Sequence, residues 1–174
     1  MIREMTRGGA LAVLGLAACS PPLDWREVRP IDSDVTALFP CKPQRLSRPV
    51  TLAGAKVQMD LVSCSAKDAT YALAYARMPE PVQVSHALRQ LRAAASANIG
   101  ASAPSTAAWT VPGMTPNPLA EKLSLAGRGA DGKSVQEQAV FFVKGLRIYQ
   151  ATLVGPEIDA QAAETFFNGL KLSS

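Results

Sequence analysis

The chain is poor in the residues on which most metal and catalytic sites are built. Its 174 residues include one histidine, His86, and three cysteines. A zinc site needs several soft ligands close together, so this sequence does not predict one. Candidate nucleophiles such as Ser85 and Ser96 lack a nucleophile elbow and would depend on His86 for every proton transfer. We therefore expect no catalytic residues, no metal and no cofactor.

Two further signs of enzymatic chemistry are weak. Gly127 and Gly129 lie in a predicted hairpin, not before a helix, so they do not predict a phosphate-binding loop. Asp60, Glu121 and Glu137 fall on predicted strands that could converge, although scattered acids usually mark solvated faces. A hydrolase is therefore the least supported class of function.

The sequence also lacks an apolar run long enough to span a membrane. Residues 8–18 are uncharged and largely apolar, whereas a membrane-spanning helix needs about 20 apolar residues. Arg3 and Arg7 precede this run, and it ends in small residues before Cys19. This order of segments is typical of a secretory signal peptide, which we assign to residues 1–18.

The four residues that end at Cys19, Leu-Ala-Ala-Cys, resemble the lipobox of bacterial lipoproteins. The resemblance implies cleavage before Cys19, a diacylglyceryl group on its thiol and acylation of the new amine. Because each buried methylene contributes about 0.8 kcal/mol, two or three acyl chains would anchor the protein stably. Ser20 stands where aspartate would favour the inner membrane in that family. The alternative is an ordinary signal peptide with a chance cysteine at the cut.

These features together predict a lipid-anchored protein of the bacterial cell envelope, at the outer membrane and facing the periplasm. Without residues 1–18 the chain has the size of one ordinary domain. Its formal charge of +4 becomes about +3, which permits contact with anionic headgroups and does not indicate nucleic acid. Prolines and charges predict a tether over residues 19–34, on which Trp25 would dock onto the domain or lie at the lipid interface. A single domain follows over residues 35–174.

Cys41 and Cys64 remain once Cys19 is assigned to the anchor. An even pair in an oxidising compartment favours a disulfide, which we predict. Two free buried thiols or a metal site are the alternatives. A bridge closing a loop of this length would contribute about 3 kcal/mol to stability.

Apolar periodicity predicts mostly strands and two helices. The predicted strands cover residues 35–39, 44–52, 55–61, 70–77, 119–127, 134–143, 146–155 and 170–172. The helices cover residues 82–99 and a segment that begins at Glu157 or Asp159. Since the strand alternation fails at Val62, we expect a bulge or a change of face there. Residues 101–118 are predicted to form a proline-rich loop.

The segment Phe-Pro-Cys-Lys-Pro at residues 39–43 resembles the Phe-Pro-Gly-Lys-Pro opening of envelope proteins with PsbP-like α/β/α sandwich domains. Residues 145–155 and 166–172 are similar to their closing hairpin, helix and strand. The resemblance implies an α+β fold in which an antiparallel sheet is flanked by two main helices. Members of that superfamily are mostly non-catalytic accessory, binding or assembly proteins, so the resemblance transfers no active site. Cys41 replaces the family's common glycine.

The expected function is therefore a lipid-anchored, non-catalytic binding or assembly module whose partner is an envelope protein. The alternative is a carrier of a small apolar ligand or lipid. Its cavity would lie under the face shared by Tyr71, Leu73 and Tyr75 and under the Trp109 loop. A cavity above about 300 Å³ would favour the carrier.

Two groups of residues are candidates for interaction with a partner. Trp109 and Met114 lie in the long loop, and Trp109 would be either a partner anchor or a core residue. Lys42, Arg45 and Arg48 would form a basic patch for anionic partners, with a solvated strand face as the alternative.

Overall fold

The computed structural model describes residues 23–101 and 103–173, which fold into ten strands and two helices. The predicted signal peptide and Cys19 lie outside the described residues. The elements are β1 (Arg26–Val28), β2 (Val35–Phe39), β3 (Gln44–Leu52), β4 (Ala55–Ala66), β5 (Ala69–Arg77), α1 (Pro81–Asn98), β6 (Ser105–Ala108), β7 (Glu121–Arg128), β8 (Ser134–Lys144), β9 (Arg147–Gly155), α2 (Ala160–Asn168) and β10 (Lys171–Leu172).

The strands form two antiparallel sheets. The larger sheet has seven strands in the order β3-β4-β5-β9-β8-β7-β6, and the smaller one has the order β1-β2-β10. Because side chains alternate along each strand, the larger sheet presents two faces. One face packs against α1, and the other packs against α2 and the smaller sheet.

The expected architecture, one antiparallel sheet flanked by two main helices as in a PsbP-like sandwich, is wrong. Strands make up 48% of the described residues and helices 18%, and α2 has nine residues. The second face of the large sheet is covered by α2 together with a second sheet. That sheet exists because β1, which lies within the predicted tether, pairs with β2, and β10 pairs with the other edge of β2.

Most strands lie where the alternation predicts them, and β2 and β3 have the predicted bounds. Of the two alternatives expected near Val62, a bulge or a change of face, the bulge is not found in β4, which is described along its whole length. Its residues pair one by one with β5 from Met59↔Ala76 to Ala66↔Ala69. The pattern changes because Val57 packs on the α1 side, whereas Val62 packs on the α2 side.

Helix α1 crosses the large sheet with its predicted apolar residues facing inward. Val84, Leu88 and Ala95 are buried. Beyond the last turn, the Arg128 amide on β7 donates to the Ile99 carbonyl over 2.8 Å. A Cβ at Gly127 would overlap that carbonyl, so glycine is required where the helix end meets the sheet.

Helix α2 fills the tyrosine face of β5. Asp159 caps it by accepting a hydrogen bond from the Ala162 amide over 2.7 Å, so the second predicted start is confirmed. The Phe166 ring packs edge-on against Tyr71, with ring centres 5.3 Å apart. Trp25 packs on the same tyrosine at 6.0 Å. Docking of Trp25 is thus confirmed, and the folded part of the chain begins before Val35.

Cys41 and Cys64 form the predicted disulfide, with their Cα atoms 6.0 Å apart. The bridge joins the segment after β2 to β4, so the loop that it closes contains all of β3. It therefore ties an edge strand of the large sheet to the rest of the domain.

Candidate functional site

A cavity of about 360 Å³ lies between α1 and the large sheet. Most of its wall is apolar and is formed by Leu46, Met59, Leu61, Ala72, Ala74, Leu91, Ala94 and Ala95. The polar lining residues are Arg48, Asn98, Glu137, Gln150 and Thr152. An apolar cavity of this volume with a few polar groups has the character of a small-molecule site.

The cavity exists because small side chains face each other across the layer. Ala72 and Ala74 of β5 and Ala94 and Ala95 of α1 all line it. The alanine face of β5 is covered by α1, but methyl groups on both elements do not fill the space between them. Leu46, Ala94 and Asn98 on its rim are exposed, so the cavity is open to solvent.

Glu137 on β8 lines the floor of this cavity and is buried, with 6% of its surface exposed. Its strand neighbours are Leu125 on β7 and Val154 on β9, both apolar. Within residues 23–101 and 103–173, no group forms a hydrogen bond or ion pair with its carboxyl. Burial raises the pKa of Glu137 to about 7.

The other two strand acids have partners. Arg45 donates to Asp60 over 2.8 Å, and Arg92 on α1 pairs with Glu121 on β7. Residue type alone does not distinguish Glu137 from Asp60 and Glu121. The signal that separates Glu137 is its position in the alternation of β8, because it shares a face with the buried residues Ala139 and Phe141.

Thr152 and Gln150 on β9 line the cavity beside β8, and Thr152 is the closer of the two to Glu137. Thr152 lies diagonally across from Glu137, since Val154 is the direct partner of Glu137. The Gln150 side-chain nitrogen donates to the Thr152 hydroxyl over 3.1 Å. Gln150 pairs with Phe141, four residues along β8 from Glu137, so it lines the cavity further from the carboxyl than Thr152 does.

The opposite end of the cavity lies at the edge of the sheet. Leu46 and Arg48 are on the edge strand β3, and Leu46 is 55% exposed. Glu137 is four strands away in the sheet order, which corresponds to about 19 Å at about 4.8 Å per strand. Arg48 therefore does not neutralise Glu137. The apolar wall of the cavity lies between these two charged residues.

The predicted basic patch is not formed. Arg45 pairs with Asp60 on the α2 side of the large sheet. Arg48 is three residues further along β3, so it points to the opposite face and lines the cavity. Lys42 lies before β3 and is exposed. Of the three, only Arg48 belongs to the candidate site.

Trp109 and Met114 pack against the α2-side core. The Trp109 ring lies edge-on to Phe167, with centres 6.2 Å apart. The Lys122 ammonium lies 5.3 Å from the centre of the Trp109 ring. The Met114 sulfur accepts from the Val111 amide over 3.2 Å. Of the two alternatives for Trp109, a partner anchor or a core residue, the structure shows the core residue.

The carrier alternative placed its cavity under the tyrosine face, but that face is packed. Tyr71 is covered by Phe166 and Trp25, and Tyr149 stacks on Phe142 with ring centres 4.7 Å apart. Aromatic packing fills that face. The open volume lies on the alanine face of the same strand, β5.

His86 is exposed on α1, away from the cavity lining. In the described part of the chain, no three His, Cys, Asp or Glu side chains are grouped so as to hold a metal ion. Neither described helix has the length and hydropathy needed to cross a membrane. A scan against protein-family models finds no match to the chain, and a search of curated proteins finds none either.

Proposed function

We propose that the protein is a lipid-anchored, non-catalytic binding module of the bacterial cell envelope that carries a small, largely apolar ligand. The observation that carries this proposal is the cavity of about 360 Å³ between α1 and the alanine face of β5. Its volume lies within the range of about 300–1,000 Å³ that is usual for small-molecule sites. A fully packed domain would instead favour a purely protein-binding role.

The physical basis for binding is the apolar wall. An apolar ligand that enters the cavity removes its own surface and that of Leu61, Leu91 and Met59 from water, which is favourable by about 25 cal/mol per Å². The wall is already formed by strands and a helix, so little ordering is needed on binding.

The proposed anchor would hold the domain close to a bilayer. Only six residue steps separate Cys19 from Trp25, which packs on the domain. At no more than about 3.6 Å per residue, they span about 22 Å or less. The anchor would therefore hold the domain near the bilayer through the α2 side of the large sheet, which is the side opposite the cavity.

The anchor is tested on the protein recovered from bacterial envelopes. We expect mass spectrometry to show an N-terminal peptide that begins at Cys19 and carries acyl chains. Cys19→Ser should abolish acylation and release the protein from the membrane fraction. An intact, unmodified residue 1 in the envelope-bound protein would refute the anchor.

Binding is tested by filling the cavity. Ala74→Leu adds three carbon atoms to its wall, and we expect about a tenfold or greater loss of affinity for the apolar probe 1-adamantanol, because the ligand and the new side chain compete for one volume. Equilibrium dialysis of the full chain in lipid nanodiscs, with empty nanodiscs subtracted, measures this affinity. Ala107→Leu, on the exposed strand β6, is the matched control and should bind as the wild type does. Equal affinity in the Ala74→Leu variant would place binding elsewhere.

A further inference from the structure

We propose that the ligand carries a protonated amine and that the Glu137 carboxylate is the group that binds it. This inference rests on the proposed function, because it assigns a chemical class to the molecule in the same cavity. The ligand would be an amphiphile with a compact apolar body and one ammonium group.

The Glu137 carboxyl has no partner of opposite charge among the described residues. An ionised carboxylate buried among apolar groups is costly unless a cation or several donors face it. The 94% burial of Glu137 is not offset by any hydrogen bond or ion pair from the described residues. The strand neighbours Leu125 and Val154 cannot supply one. A cation brought by the ligand is the missing partner.

The polar floor of the cavity also suits a donor group. Thr152, which lies diagonally across from Glu137, is the nearest polar lining residue in the sheet, and its hydroxyl oxygen accepts from the Gln150 side chain. An ammonium group has N–H donors for the Glu137 carboxylate and for the Thr152 hydroxyl oxygen, and no acceptor that would clash with them. The apolar body then extends towards Leu61 and Met59 on β4.

The charged groups around the cavity do not replace this cation. The titratable or charged side chains on the α1-facing side of the surrounding elements are Arg48 on β3, Glu121 on β7, and His86, Arg89 and Arg92 on α1. Arg92 is held by Glu121. His86 and Arg89 are exposed on earlier turns of the helix. Arg48 is four strands away at the open edge.

The test compares three probes of one shape and different charge: 1-adamantanamine, 1-adamantanol and 1-adamantanecarboxylate. With the full chain in nanodiscs near pH 8.5, we expect the amine to bind about tenfold or more tightly than the alcohol, and the carboxylate to bind most weakly. Glu137→Gln should reduce the amine to the affinity of the alcohol and leave the alcohol unchanged. Glu157→Gln, which removes an exposed carboxylate, is the control and should bind as the wild type does.

A pH series gives a readout that a merely structural role would not produce. An alkylammonium keeps its proton between pH 5.5 and 8.5, as lysine does, so only Glu137 titrates. With its pKa at about 7, the wild-type affinity for the amine should rise about thirtyfold over this range, while the affinity for the alcohol stays level. In Glu137→Gln both should stay level.

The outcomes separate this inference from the proposed function. Suppose that the alcohol binds, that Ala74→Leu weakens its binding, and that the amine binds no more tightly than the alcohol. The cavity is then a ligand site, but the assignment of an amine ligand is wrong. An affinity for the alcohol that falls with rising pH would indicate a neutral acceptor bound by the protonated carboxyl, and would also overturn it. If none of the probes binds, both proposals fail together.

Discussion

Raising the pH from 4 to 8.5 is expected to lower the free energy of unfolding by about 3 kcal/mol through Glu137 alone. In the unfolded chain this carboxyl loses its proton near its ordinary pKa of 4.5, whereas in the folded protein burial holds the pKa at about 7. Between these values the unfolded state binds fewer protons than the folded state, so stability falls as the pH rises. The stability from the neutral carboxyl is complete below pH 4.5 and is lost as the pH passes through 7.

Urea unfolding of the wild type and Glu137→Gln at several pH values measures this effect. The variant should become the more stable protein at alkaline pH, with the gap growing by about 3 kcal/mol over the range. Other acids cancel in this difference. For Asp60, burial raises the pKa, but hydrogen bonds from Ser47 and Arg45 outweigh it and lower the pKa overall. Its contribution is lost as the pH falls, and equally in both proteins.

Two further results bear on this prediction. Glu157→Gln, on an exposed residue, should follow the wild-type curve. If the wild-type and Glu137→Gln curves run parallel from pH 4 to 8.5, Glu137 does not titrate in the folded protein with a raised pKa. Addition of the amine probe should restore wild-type stability at alkaline pH, because a bound cation stabilises the carboxylate.

The positions of most strands and of the two helices could be predicted from the sequence because apolar periodicity is a local property of the chain. Alternation in residues 44–52 determines which side chains share a face, and β3 has those bounds. The pairing of β1 and β10 with β2 is different, since it joins segments at opposite ends of the domain. Periodicity shows that a segment is extended but does not name its partner. For that reason the second sheet, and with it the fold class, was predicted wrongly.

The candidate site illustrates the same limit. The alanines of β5 predict a helix above them, and α1 is there, but the depth of the gap depends on where the helix axis settles. That position is set by distant contacts, among them Gly127 against the end of α1. Glu137 carried a usable signal in its parity with Phe141, which outweighs the general rule that strand acids face solvent.

Reduction of the Cys41–Cys64 bridge is expected to lower the free energy of unfolding by about 3 kcal/mol, as predicted for a closed loop of this length. The bridged residues are 23 positions apart, and the loop holds the edge strand β3, whose side chains are largely exposed. The β3 backbone pairs with β4 along its whole length, but few of its side chains are buried, so the covalent link adds a restraint that side-chain packing does not provide.

Urea unfolding with and without dithiothreitol measures this contribution. The reductant should destabilise the wild type and leave the Cys41→Ala/Cys64→Ala double variant unchanged, so that loss of the crosslink is separated from loss of packing around Cys64. The reduced wild type should also lose affinity for the cavity probe, because Leu46 and Arg48 of β3 form its outer wall. If the reductant has no effect on the wild type, the cysteines are free thiols in solution. The prediction that the protein lies in the oxidising envelope compartment would then rest on the sequence around Cys19 alone.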